Sequence, residues 1–361
     1  MIQNKYLFVI LAFLISSVVS FLLTPLVKTI AHKVGAIDVP ADDRRMHKVP
    51  IPRMGGLAIF LGFFLSAVLF LDLSRPIIAT LIGAIIILVL GIFDDIYRLK
   101  ALPKLIVQII AALIPALNGV QISFLSNINL FSDNAFINLG VFTVPITVFW
   151  IVGITNAVNL IDGLDGLACG VSSIACFSLF CIALILGDTQ VELMTAALAG
   201  ACIGFLPYNL NPAKIFMGDT GATFLGYVLA IISIQGLFKF YTIISFAVPV
   251  LILGLPIFDT SFAIIRRIAS GRSPMSPDRG HLHHRLIDMG FNQKQTVAII
   301  YSVSIVCGLA AILLTQSGTL KAAIIVVTAL VVALLAARIF LGKDENDENA
   351  AIPSEQKNKQ N

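Results

Sequence analysis

Charge is scarce in this chain. Only 12% of its 361 residues are Asp, Glu, Lys or Arg, about half the share of a soluble globular domain, and that shortage excludes a water-soluble globular protein. Cysteine is scarce too. The five present, Cys169, Cys176, Cys181, Cys202 and Cys307, all fall within apolar stretches, which argues for reduced core thiols and against a disulfide framework. No A-x-A cleavage site follows the first apolar run, so that run is expected to be retained. There is no internal repeat, and no segment reads as a separate soluble domain.

Apolar chain is what the sequence has in excess. Hydrophobic residues make up 58% of it, and mean hydropathy is +0.96. A helix of about 17–25 apolar residues crosses about 30 Å of hydrocarbon. Such stretches recur eleven times, near 6–27, 56–71, 76–93, 104–122, 141–160, 168–187, 191–208, 221–238, 242–265, 296–315 and 321–341. The reading is an all-α, polytopic helical membrane protein. Basic residues orient it: with the amino terminus outside, inner segments hold 20 of the 24 Lys and Arg, leaving Lys5, Arg75, Lys239 and Lys321 on the outer side. So lopsided a distribution is the positive-inside signature, and it predicts a cytoplasmic carboxyl terminus. Residues 1–341 are expected to form one integral-membrane domain, residues 123–140 a small ordered excursion outside, and the charge-mixed stretch 342–361 a disordered tail.

Residues that lipid would reject gather in the inner loops. "GIFDDIYR" ends the third span with Asp94 and Asp95. A helix carboxyl terminus carries partial negative charge, so each acid there costs about a few tenths of a kcal/mol. The pair reads either as capping polarity offset by Arg98 and Lys100, or as repelling carboxylates of which one serves as a base beside a metal. "MGDTGAT" opens the eighth span with Asp219. A glycine-flanked helix start suits phosphate; Asp219 is then an N-cap or a carboxylate for Mg²⁺, which favours one or two acids plus substrate phosphate oxygens.

"NLIDGLDGLA" sets Asp162 and Asp165 three residues apart without a neighbouring cation. On a helical turn they would share a face with Asn159. They are either turn-forming aspartates or acids whose counter-charge comes from Mg²⁺ or from the basic loops at 44–53 and 266–285. In "GHLHHRL", His281, His283 and His284 hold three of the five histidines, near Arg272, Arg279 and Arg285. Imidazole alone suits zinc or copper better than Mg²⁺, so an anion-binding loop fits better, with hydrogen-bonded structural histidines as the plain alternative. None of the 20 acids lies at a predicted midspan; even Asp259 is seven residues from the basic loop, about 10 Å at helical rise. Transporters place ionisable groups near the midplane, so acids at one rim point to an interfacial enzyme.

Five motifs in order, "RRMHKVPIPRMGG", "FDDIYRLK", "NAVNLIDGLDGLA", "FLPYNLNPAKIFMGDTGATFLG" and "RGHLHHRL", resemble those of the polyprenyl-phosphate N-acetylhexosamine-1-phosphate transferases. Within that family they are most similar to the bacterial undecaprenyl-phosphate GlcNAc-1-phosphate transferase type, over about residues 30–290. The resemblance implies Mg²⁺-dependent transfer, with Mn²⁺ as a substitute metal, of N-acetylglucosamine 1-phosphate from UDP-GlcNAc to undecaprenyl phosphate. UMP would leave, and a lipid-linked cell-envelope glycan would begin. It further implies a bacterial plasma-membrane location with the site facing the cytoplasm, a homodimer, and no nucleic-acid partner.

Residue by residue, the resemblance makes Asp219 the Mg²⁺ ligand and Asp94 and Asp95 the essential acid pair, one of which deprotonates the lipid phosphate. Lys104 matches a phosphate-associated lysine, while Asn159, Asp162 and Asp165 match the polar rim around nucleotide and metal. Asn209 matches an asparagine near uridine, and His281, His283 and His284 match a motif that contacts the substrate's phosphates. The phospho-MurNAc-pentapeptide transferases, whose histidines are consecutive, stand as the alternative.

Overall fold

The computed structural model describes residues 2–40, 49–126, 136–237, 247–271, 273 and 280–316. The expected eleventh span and the 342–361 tail lie outside them, as do Arg272 and Arg279. The chain opens with α1 (Ile2–Val34), a small antiparallel pair β1 (Ile37–Asp38) and β2 (Ile51–Pro52), then α2 (Gly56–Phe70), α3 (Arg75–Tyr97) and α4 (Ala101–Leu117). A second short pair, β3 (Phe124–Ser126) with β4 (Phe136–Asn138), falls in the expected 123–140 excursion. It is followed by α5 (Thr143–Leu160), α6 (Leu167–Leu186), α7 (Thr189–Asn209) and α8 (Gly218–Leu237). The remaining elements are α9 (Ala247–Ile252), α10 (Gly254–Ala269), α11 (Leu282–Asp288) and α12 (Gln293–Gln316).

Six helical segments among the described residues are long and apolar enough to cross a membrane: Lys5–Val34, Arg75–Tyr97, Gly140–Leu160, Leu167–Leu186, Thr189–Asn209 and Gln293–Thr315. Two more apolar helices, α2 and α4, are shorter. Large apolar side chains such as Leu14, Leu22, Ile82 and Leu309 stand exposed on helix exteriors, a surface suited to lipid. The protein is a polytopic helical membrane protein. All five cysteines are free.

Apolar residues occupy every face of α8, the pattern of a helix surrounded by others. Phe224, Tyr227, Val228, Leu229, Ile231 and Ile232 are accordingly fully buried, with α2, α3, α5 and α6 packed around them. Its first turn is gripped closely: a Cβ at Gly56 of α2 would collide with Gly221, and one at Gly91 of α3 with the backbone of Thr220. On the other flank Gly200 and Gly204 of α7 press against the carbonyls of Phe13 and Ser17 of α1, a small-xxx-small contact that suits helix packing where no hydrophobic effect drives it.

Two expectations change. The ninth apolar stretch is not one helix, because α9 ends at Ile252 and α10 starts at Gly254. Pro256 has no N–H to offer the carbonyl four residues back, so the ladder breaks there. The fourth stretch ends early, at Leu117.

Candidate active site

Three backbone segments are stitched together at one end of the bundle. Arg53 N donates to Ala36 O at 2.9 Å and Phe216 N to Pro52 O at 2.8 Å, while Gly55 N and Gly56 N donate to Phe216 O and Met217 O, both at 2.9 Å. Met54, between them, takes φ +77°, a left-handed backbone that costs a non-glycine residue about 1 kcal/mol. This turn carries Arg53 from β2 to the start of α8.

There the acids meet their cations. Asp95, in the last turn of α3, accepts from Asp219 N at 3.0 Å, Thr220 N at 3.1 Å and Thr220 Oγ1 at 2.6 Å. A carboxylate from another helix thus satisfies the orphan N–H groups of α8 and complements its positive end, so the N-cap role open to Asp219 belongs to Asp95. Gly218 has φ +73°, and a side chain there would strike the Asp95 carboxylate. Asp94 accepts from Leu99 N at 2.8 Å and from Lys104 Nζ at 2.5 Å. Arg98 and Lys100, the neighbours the sequence suggested as counter-charges, are exposed. Lys104 in α4 and Arg53 take that part.

Asp219 stands between those two cations. Lys104 Nζ lies 3.7 Å from its Oδ1 and Arg53 Nη2 3.7 Å from its Oδ2, beyond hydrogen-bonding reach on both sides. Its carboxylate accepts no hydrogen bond from any described residue. Burial works against the charge of Arg53, but Asp95, Asp219, Asp38 and Asp162 outweigh it and hold the guanidinium above its ordinary pKa.

A cavity of about 500 Å³ opens beside this cluster and shares Arg53 and Gly218 with it. Asp162, Asp165, Asn209 and His284 line it, as do Asn211, Phe216 and Gln293. Asp162 and Asp165 are brought together as expected, though not on a helix: residues 161–166 form successive turns, ended by Gly166 at φ +76°. Asp165 Oδ2 is engaged by Asn211 Nδ2 at 2.9 Å and Ala213 N at 3.0 Å, so it clamps the α7–α8 connection. Asp162 is partly buried, and burial first, then Asp219, pushes its carboxyl up to about 7. Asn209 donates to Ile215 O at 3.1 Å, but its Oδ1 is buried without a partner. Asn159 is the exception. Its carbonyl accepts from Asp162 N at 3.3 Å at the end of α5, but it does not line the cavity.

The histidines divide by position. His281 Nδ1 is 2.8 Å from Asp259 Oδ2, and Asp259 Oδ1 accepts from Leu282 N at 2.7 Å, so α10 pins the start of α11. His283 is wedged against Gly163; burial, then His284, lowers its pKa to about 3, and a neutral ring there cannot supply positive charge at physiological pH. Among the three, His284 alone lines the cavity. Sequence reasoning leaves Arg53 as one charge in a basic loop and Asp259 as an acid near the rim, and it passes over Asn211 and Gln293. An acid inside an apolar helix was the available signal for Asp259; nothing local marks Gln293.

The chain is similar to known proteins along most of its length. The profile of Glycosyl transferase family 4 matches residues 77–237. The "Probable undecaprenyl-phosphate N-acetylglucosaminyl 1-phosphate transferase" of Bacillus subtilis is 41% identical over 92% of both chains. The "Decaprenyl-phosphate N-acetylglucosaminephosphotransferase" of Mycobacterium tuberculosis is 35% identical over 80% of this chain and 78% of its own. The "Phospho-N-acetylmuramoyl-pentapeptide-transferase" of Staphylococcus aureus is 33% identical over 82% of this chain and 96% of its own. On that similarity, and with its paired acids, cations and cavity at one rim of a membrane bundle, the chain belongs to glycosyl transferase family 4 and is a sugar-phosphate transferase.

Proposed function

We propose that this enzyme transfers N-acetylglucosamine 1-phosphate from UDP-GlcNAc to undecaprenyl phosphate and releases UMP, beginning a lipid-linked cell-envelope glycan. The observation that carries the reading is the placement of Lys104 and Arg53, each 3.7 Å from a different oxygen of Asp219, at a helix start beside a cavity of about 500 Å³. In the reaction an oxygen of the lipid phosphate bonds to the sugar-bearing phosphorus. The bond from that phosphorus to the bridging oxygen breaks, and UMP takes the electron pair. Such transfer needs positioning and charge neutralisation more than covalent catalysis.

Lys104, on the first turn of α4, receives the acceptor phosphate in this reading. Asp94 holds Lys104 in place and takes the proton of a monoanionic acceptor. Asp95 is a positioning residue, since its oxygens are committed to α8. Arg53 and His284 face the donor's phosphates, while Asn209, Asp165 and Asp162 bound the nucleotide.

Mg²⁺ fits this donor set. No three His, Cys, Asp or Glu residues form a metal cage among the described residues, but Mg²⁺ is commonly held by one or two carboxylates with substrate phosphates, and Asp219 offers a carboxylate with no competing hydrogen bond. When bound, the ion neutralises pyrophosphate charge.

We also assign eleven spans, the amino terminus outside, and a site open to the cytoplasm of a bacterial plasma membrane, on the 20-to-4 division of basic residues. The test is UMP release by purified protein given undecaprenyl phosphate, Mg²⁺ and either UDP-GlcNAc or UDP-MurNAc-pentapeptide. Release from UDP-GlcNAc is expected. Release from the pentapeptide donor alone would reassign the substrate, and no release with any UDP-N-acetylhexosamine would overturn the reading.

A further inference from the structure

The α7–α8 connection ends in a chain of side-chain hydrogen bonds whose polarity is set by chemistry. Asp165 is a carboxylate and only accepts, so the group 2.9 Å from its Oδ2 must be the Asn211 amide nitrogen. The other hydrogen of that nitrogen goes to Gln293 Oε1 at 2.8 Å. Both amides are thereby oriented. Asn211 is left with its Oδ1, an acceptor, and Gln293 with its Nε2, a double donor. Neither has a partner among the described residues, and both residues line the cavity.

We propose that Gln293 and Asn211 read the nucleobase of the donor: Gln293 Nε2 donates to a ring carbonyl while Asn211 Oδ1 accepts from the adjacent ring N–H. This rests on the reading of the substrate as a UDP-sugar. A donor and an acceptor on either side of one hydrogen bond match the imide edge of uracil, where N3–H adjoins C4=O. Cytosine reverses both groups, presenting a bare N3 beside an amino group, and would leave both contacts mismatched. Asn209 and Phe216 line the same cavity, and an aromatic ring such as that of Phe216 suits a planar base. The donor half of the specificity element, Gln293, thus comes from α12, outside every motif that carries the acids and histidines.

Gln293→Glu separates the two jobs of this side chain. It keeps an oxygen for Asn211 but replaces the donor by an anionic acceptor. Equilibrium binding of UMP and CMP to the detergent-solubilised full chain is the readout, because it requires no turnover. The parent is expected to prefer UMP. Gln293→Glu should weaken UMP about tenfold or more while CMP changes little, so the preference narrows; Gln293→Ala should lose about three- to tenfold on UMP. In turnover the loss should fall on KM for UDP-GlcNAc more than on kcat. An unchanged UMP-to-CMP ratio in both variants, with thermal unfolding like the parent's, overturns the proposal and leaves the transferase reading intact. A parent that prefers UMP but releases none from UDP-N-acetylhexosamines overturns the transferase reading and leaves the base reading standing. A parent that binds neither nucleotide overturns both.

Discussion

Replacing Lys104 by Gln removes the cation shared by Asp94 and Asp219 while keeping a side chain that can still donate to Asp94. In the structure Lys104 Nζ sits 2.5 Å from Asp94 Oδ2 and 3.7 Å from Asp219 Oδ1, with about a quarter of its side chain exposed. If it holds the acceptor phosphate, what is lost is one charge-assisted hydrogen bond, about 1.5–3 kcal/mol. At 1.36 kcal/mol per decade that is about a tenfold to 150-fold fall in kcat/KM for the lipid. The assay is the initial rate of UMP release against undecaprenyl phosphate at saturating UDP-GlcNAc, with UDP-GlcNAc binding measured separately without lipid. The lipid dependence should weaken by that factor and nucleotide-sugar affinity should move much less. In an Asp94→Asn background the same substitution should cost less, since Lys104 is then no longer held, with a coupling of about 1–3 kcal/mol. Unchanged dependence on polyprenyl phosphate would refute the argument and move the anchor to Arg53.

Asp219→Asn should abolish Mg²⁺-dependent UMP release while circular dichroism shows the helices intact, because a neutral amide binds Mg²⁺ poorly; retained turnover at ordinary Mg²⁺ would count against the assignment. Asp162, with a folded-state pKa of about 7 against the ordinary carboxylate range, contributes stability that is full below pH ~4 and is lost as pH rises through 7. Asp162→Asn should flatten that slope and, discounting for partial exposure, stabilise the protein at pH 8 by about 1–2 kcal/mol; thermal unfolding slopes between pH 5 and 8 that match the parent's would refute it. A cysteine in place of the exposed Lys100 should react with an impermeant thiol probe only from the cytoplasmic side, and labelling from outside would invert the proposed topology.

Much of this protein was legible in its sequence because a membrane simplifies the problem. Helices in hydrocarbon must satisfy their own backbone, so length and apolarity alone mark Arg75–Tyr97 or Leu167–Leu186 as spans. Ionisable residues are then forced to the rims, which is why Asp94, Asp95, Asp162, Asp165, Asp219 and His284 stand out as site candidates from sequence alone. Local sequence also foretold that α8 would begin at the glycines of "MGDTG", with Asp219 in its first turn.

Partnership was not legible, because it depends on distance between segments far apart in the chain. Which of two adjacent aspartates caps α8, 124 residues away, is decided by how closely glycines let α2 and α3 approach that helix start. The same holds for Arg53, whose role appears only once the 51–56 segment is hydrogen-bonded to 216–217, and for Asp259, which reads as an isolated acid until it meets His281. Periodicity places Asn159, Asp162 and Asp165 on one helical face; residues 161–166 instead form turns, and the two acids line the cavity without Asn159. Sequence alone determined the solvent, the helices and the rim at which the chemistry gathers, since burial of charge in lipid is costly wherever the residue falls. Tertiary structure alone decided which acid meets which cation and which amides face the cavity, since those pairings depend on a few ångströms of helix approach that no local pattern records.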